Sequence, residues 1–280
     1  MTEALHFPAA RSAGTIRRAA DAALSRFTPT VTILAYLFLF VPIAVLIVYS
    51  FNASRSTVVW TGFTLDWYGE VLADRSLQRA LWVSAVVAGA SALLSTVIGT
   101  LTALVLARRT FRGRDGFSTL VLAPLVLPEI VLAVGFLVLM AAAGIPLGYF
   151  TLIAGHTLIA VPFTTLIVRA AAAALDRRLE EAAADLGADG RQTFFRVTLP
   201  LLLPAIVTAF LLAATLSFDN FVMSTFTSCV GTTTLPLRIY SMLKTGITPE
   251  INALGTLLVA ANILVVVAVA GRHLKLLLKR

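Results

Sequence analysis

Two acidic residues stand inside apolar stretches of this sequence, Glu129 in PEIV and Asp219 in SFDNF. Paired carboxylates can share a proton in acid–base chemistry, and an acid in low dielectric attracts a cation more strongly than it does in water. The contexts of these two acids do not match each other, so no catalytic dyad is expected. Each acid also has a structural alternative: Glu129 can support a helix bent at Pro128, and Asp219 can cap a helix or bond a neighbouring one. No phosphate-binding loop, HExxH pair or nucleophile elbow occurs. His6, His156 and His273 make no metal-ligand spacing, and the single Cys229 gives neither an intrachain disulfide nor a cysteine cluster. No catalytic and no metal-binding residue is therefore expected. The residues set aside for a substrate path are Glu129, Asp219, Asn220 and Tyr240.

A second stretch has polar chemistry of another kind. Residues 176–200 read DRRLEEAAADLGADGRQTFFRVTLP. Glu180 to Leu186 is built from strong helix formers. Gly187 is placed to stop that helix, because glycine takes the left-handed conformation that closes a helix end. A second helical piece is expected from about Arg191 to Val197, leading to Leu199 and Pro200 at the start of the next helix. The spacing predicts two short helices with a tight glycine corner, a compact knob suited to docking.

The elements around these residues are membrane spans. Of 280 residues 59% are apolar and 13% are charged, against about half and a quarter in soluble domains. Residues 31–51 are long enough to cross a bilayer and lack a cleavage site of signal-peptide type, so they read as an uncleaved first span after a mobile basic segment, 1–30. Residues 52–79 form a loop with a short helix near Trp67 to Leu72, its aromatics expected at the membrane boundary. The second span, 80–107, spaces small residues four apart (Ala85 and Gly89, Ala88 and Ala92, Ser91 and Ser95, Ser95 and Gly99), a pattern that allows close helix packing. The third, 117–142, is bent by Pro124 and Pro128. The fourth is 151–175 and the fifth 201–222. Residues 223–250 hold a short helix between turns, 251–270 is the sixth span, and 272–280 is a basic amphipathic tail.

Charge sets the orientation. The segments 11–26, 108–114, 177–196 and 272–280 carry four Lys/Arg each, whereas the opposite side holds only Arg55, Arg75, Arg79, Arg238 and Lys244. Lysine and arginine collect in cytoplasmic loops. Six spans with both termini and the knob in the cytoplasm are expected, and the net charge of +8 reflects this topology rather than binding to nucleic acid.

The knob resembles the EAA loop of ABC importer permeases: EAA, three residues, Gly, nine residues, Ile-x-Leu-Pro. Here Glu181-Ala182-Ala183 is followed at that spacing by Gly187 and by Val197-Thr198-Leu199-Pro200, with Val in place of Ile. PEIVLAVG, LSFDNFV and LPLRIYSMLKTGITPEINALGTLL are similar to the spermidine/putrescine branch, in its second, C-type or I-type, permease. The resemblance covers residues 30–272. Related segments also occur in permeases for ferric iron, sulfate and other small solutes. The branch often carries a second acid where this chain has Asn220.

The resemblance implies an all-α membrane protein, a six-span helical bundle like a type I ABC importer permease, in a bacterial inner membrane. It implies transport of polyamines with a second permease, two ATPase subunits and a periplasmic solute-binding protein. ATP and Mg would be bound by the ATPase, leaving this chain without a cofactor of its own. Glu180, Glu181, Ala182, Ala183, Asp185, Gly187, Leu199 and Pro200 would couple to that ATPase. Glu129 and Asp219 would form a secondary filter for cations. An ion-coupled secondary transporter is the alternative class, and it gives the EAA spacing no role.

Overall fold

In a computed structural model, described over residues 12–55, 59–246 and 248–277, the chain folds into helices. These are α1 Ser12–Tyr49, α2 Asp66–Ala73, α3 Arg75–Arg108, α4 Arg114–Leu122, α5 Glu129–Ala142, α6 Tyr149–Ala174, α7 Arg178–Asp185, α8 Gly190–Thr193, α9 Leu199–Phe218, α10 Val222–Thr227, α11 Leu235–Thr245 and α12 Pro249–Leu277. A 3-10 turn, Ala123–Leu125, follows α4, and a π-helical segment, Phe194–Thr198, joins α8 to α9. Residues 1–11 of the basic N-terminal segment and 278–280 of the tail lie outside the described residues. From Ser12 onward the backbone is already helical, so the first helix starts well before the expected span.

Among the described residues four helices are long and apolar enough to cross a membrane: Phe27–Tyr49 within α1, Arg75–Arg108, Tyr149–Ala174 and Gly190–Phe218. The third expected span is not continuous. Arg114–Leu125 and Glu129–Ala142 meet at 106°. Pro124 and Pro128 bracket the break; each removes a backbone donor, and Pro128 takes an extended ψ of 131° as the N-cap of α5. The six expected crossings correspond to the four long helices, this bent pair, and α12, whose described apolar stretch, Pro249–Leu264, is shorter than a span.

The chain divides into two compact units. One contains α1 and α12; the other runs from Leu72 to Gly246. In the first, Leu46 of α1 packs against Gly255 of α12. Trp67, expected at the membrane boundary, is instead buried, its indole N–H donating to the Asn52 carbonyl at 2.8 Å. Tyr68 bonds Ser50 through its hydroxyl at 2.6 Å. A buried indole needs such an acceptor, and the backbone at Asn52 supplies it. Trp60 does remain exposed.

The second unit is built on α3, α6 and α9. Its core has three layers: Val83 and Val87 against Leu152, then Ala92, Ala160 and Ala213, then Ala103, Val168 and Ala209. The small-residue pattern is only partly used here. Ala88, Ser91, Ala92, Ser95 and Gly99 are buried, whereas Ala85 and Gly89 point outward. Four-residue spacing identifies helix faces, and α3 has small residues on more than one.

At Gly99 the approach is closest. A Cβ there would lie 2.0 Å from Thr164 Oγ1 and 2.9 Å from the Thr165 backbone nitrogen. The Thr164 hydroxyl in turn donates to the Ser95 carbonyl at 2.8 Å. Gly99→Val should therefore destabilise the detergent-solubilised chain by about 1–3 kcal/mol or more. Gly89→Ala, where a Cβ meets nothing within 4 Å, should be neutral or slightly stabilising because alanine is the better helix former. Equal melting temperatures for the two variants would contradict the packing described.

Candidate functional site

Two polar regions stand out in the Leu72–Gly246 unit. The first is the knob. Helix α7 begins just after Asp176, whose carboxylate accepts from the Arg178 N–H at 3.0 Å. It ends at Gly187, which takes a φ of +86°. The Ala188 N–H returns to the Ala183 carbonyl at 3.0 Å and the Gly187 N–H to Ala184 at 2.9 Å. This closure uses the left-handed residue that glycine supplies without steric penalty.

The expected second short helix is in fact the first part of the fifth span. Asp189 and Gln192 form a capping box that starts α8. The π segment then joins α8 to α9, with the Leu199 N–H reaching back to the Phe194 carbonyl. Pro200 cannot offer an N–H, and a widened turn just before it absorbs that loss.

The acidic residues of α7 divide. Glu181, Ala182, Asp185 and Gly187 are exposed, as is Leu186 at 90%. Glu180 turns inward, with Ala183 half-buried. One Glu180 oxygen pairs with Arg108 at the end of α3, and the other accepts from the Thr198 hydroxyl. Leu199 and Pro200 follow Thr198 in the first turn of α9, Leu199 half-buried and Pro200 exposed. A cavity of about 470 Å³ lies alongside, lined in part by Leu104, Arg109, Ala184 and Phe194.

Partial burial pushes the Glu180 pKa up. The hydrogen bonds from Arg108 and Thr198 and the positive charges of Arg108 and Arg177 outweigh it and hold the carboxyl below its ordinary range. No local pattern marks Arg108 or Thr198 as partners of Glu180. The pattern around Glu180 identifies the loop, and the partners lie 72 and 18 positions away.

The second region lies where α9, α10 and α5 meet. Asn220 donates through Nδ2 to Glu129 Oε1 at 2.5 Å and accepts the Met223 N–H at 2.9 Å. Glu129 occupies the first turn of α5, where the helix dipole favours a negative charge. The Phe221 ring packs against Tyr240 at 4.8 Å, with Lys244 Nζ 4.8 Å from the Tyr240 centroid. Asp219 is exposed at the end of α9. The structure thus brings Glu129 and Asn220 together, with Tyr240 beside Phe221, and leaves Asp219 outside that bonded set.

A buried network supports this region. Ser224 Oγ donates to the Asn220 carbonyl at 2.7 Å and lies 3.1 Å from His156 Nε2. His156 Nδ1 lies 2.7 Å from Ser217 Oγ, so the imidazole links Ser217 to Ser224 through its two nitrogens. Ser91 Oγ is 2.8 Å from Ser217 Oγ. His156 was not singled out by sequence, since one histidine in an apolar helix has no spacing to read. Among the described residues no group of acids, histidines and cysteines could hold a metal ion.

The Glu180 geometry has a pH signature. Its folded pKa is depressed, so its stabilisation is full above the ordinary glutamate value of about 4.3 and is lost as pH falls through the lower folded value. Glu180→Gln should melt as though destabilised by about 1–3 kcal/mol near neutral pH. The gap should close on acidification. A gap constant with pH would contradict the ion pair.

Residues 95–280 match the family described as binding-protein-dependent transport system inner membrane component. The chain is 38% identical over 238 residues to the putrescine transport system permease protein PotI of Escherichia coli K12, covering 82% of this chain and 85% of that one. It is 40% identical over 233 residues to the spermidine/putrescine transport system permease protein PotC of the same organism, with 83% and 88% covered. The fold is similar to a chain of a bacterial alginate ABC transporter, solved with an alginate pentasaccharide-bound periplasmic protein, at a TM-score of 0.69 and 20% identity over 93% of this chain and 96% of that one. This chain is a multi-pass inner-membrane permease and belongs to the family of binding-protein-dependent transport system inner membrane components, together with the PotC and PotI permeases.

Proposed function

We propose that this chain is the non-catalytic transmembrane subunit of an ATP-driven importer that brings polyamines, putrescine or spermidine, across the inner membrane. The observation that carries the reading is the exposed α7 knob, with its glycine closure and bare Leu186, in a chain similar to PotC and PotI. A small apolar protrusion flanked by Glu181 and Asp185 suits a cleft in a soluble ATPase that offers basic groups. ATP and Mg bind that partner. A second permease completes the translocation path, two ATPases drive it, and a periplasmic solute-binding protein delivers the cargo.

Both termini and the knob lie in the cytoplasm in this reading, and the loop around residue 60 lies outside. Glu129, Asn220, Tyr240 and Asp219 belong to the cargo path, where a carboxylate favours a polyammonium ion. Solute choice rests mainly with the binding protein, and the acids act as a second filter. A secondary transporter would leave the knob without a partner.

Coexpression with ATPase, second-permease and binding-protein genes of the same genome tests the assembly. The ATPase should copurify, and cells should take up labelled putrescine, with competition by spermidine and none by sulfate or ferric iron. Uptake competed by sulfate or iron alone would replace the cargo. Gly187→Leu should lose ATPase assembly or hydrolyse ATP without uptake; fully coupled uptake in that variant would remove the docking role. Glu129→Gln should lower uptake while leaving ATPase copurification intact, and unchanged uptake would make Glu129 a structural residue. A tag at residue 60 should label from outside the cell; labelling only after lysis would reverse the orientation.

A further inference from the structure

We propose that Arg108, Glu180 and Thr198 form a polar latch that makes α7 a lever on the helix bundle, with Glu180 a positioning residue rather than an ATPase contact. This inference rests on the reading of α7 as the ATPase-docking helix. None of the eight residues of α7 is buried. Apolar packing therefore does not hold the helix against the unit. Its covalent tie to α6 runs through Leu175, Asp176 and Arg177, and Leu175 is extended at ψ 128°. A short extended connector permits swing. Its other covalent tie turns at Gly187.

The latch removes that freedom. Glu180 sits in the first turn of α7, Arg108 is the last residue of α3, and Thr198 is the residue before α9. Both carboxylate oxygens are engaged, one on each neighbour. The side chains of Arg108 and Glu180 are 23% and 19% exposed, so the pair is shielded from the water and salt that weaken surface pairs. Each charge also suits its helix end: a cation at the C-terminus of α3 and an anion at the N-terminus of α7.

Both Glu180 oxygens are already engaged within the chain, whereas the adjacent Glu181 is exposed. The two glutamates thus divide the work, Glu181 facing the partner and Glu180 passing displacement inward. A push on α7 is delivered to α3 and α9 together. These two helices pack on each other through Ala92 and Ala213 and through Ala103 and Ala209. The cavity of about 470 Å³ beside the latch is partly apolar, and without the polar tie α7 has room there to move alone.

The test uses the whole assembled transporter in proteoliposomes, reading ATPase copurification, ATP hydrolysis and labelled putrescine uptake. Glu180→Gln and Arg108→Gln should each retain the ATPase and hydrolyse ATP, yet lower uptake per ATP by about tenfold. The double variant R108Q/E180Q should be no more impaired than the worse single, because each single already breaks the same tie. Thr198→Val keeps the ion pair and should give an intermediate loss, with melting curves confirming that each variant is folded.

Full coupling in both single variants overturns the latch. Loss of the ATPase from folded Glu180→Gln also overturns it, since Glu180 would then be a docking contact. A double variant worse than both singles overturns the pairwise tie. Failure of the parent chain to copurify any ATPase instead removes the docking reading on which the latch rests.

Discussion

The close approach of α3 to α6 and α9 is the constraint on which the rest of the second unit depends. Lipid gives apolar helices little reason to prefer one another over acyl chains, so they associate by close packing and by hydrogen bonds. Here the middle layer is Ala92, Ala160 and Ala213, and the Thr164 hydroxyl reaches the Ser95 carbonyl where Gly99 leaves it space. A larger side chain at any of these positions would move α3 outward. Because α3 is 34 residues long, its placement fixes Arg108 at one end and Asp74, which caps it and meets Arg238, at the other.

Buried hydroxyls follow from the same packing. Small polar side chains save volume, and once buried each needs a partner because no water can serve. Ser91, Ser217 and Ser224 meet this demand around His156. The imidazole, with one donor and one acceptor nitrogen, bridges α9 and α10 across the break at Asp219 and Asn220. A helix interruption inside a membrane protein leaves backbone groups unpaired, and the Ser224 bond to the Asn220 carbonyl closes one of them. The network therefore fixes the point from which Asn220 reaches Glu129.

What the sequence made legible was local. Glycine at 187 and the helix formers before it specify a closure that needs no distant residue, and it appears where the spacing put it. The apolar lengths of α3 and α6 were equally readable. The 106° break was not, because a proline announces a bend while the packed neighbours set its size. The inward turn of Glu180 was illegible for a related reason. Glu180 and Glu181 are chemically identical and adjacent, and only the position of Arg108, 72 residues earlier, distinguishes them. Trp67 had the composition of an interfacial anchor, but the Asn52 carbonyl within its own unit gave its indole a buried acceptor.

Asn220 gains a physical reason from the same distance-dependent logic. A second acid at this position would place two carboxylates within hydrogen-bonding reach, where like charges in low dielectric oppose joint ionisation. An amide at 2.5 Å instead donates to Oε1 of Glu129 and brings no second negative charge. In the proposed cargo path the other carboxylate oxygen is then the group that meets an ammonium. A path must hold a cation weakly enough to release it, and one acid bonded to a neutral amide meets that condition better than a pair of acids.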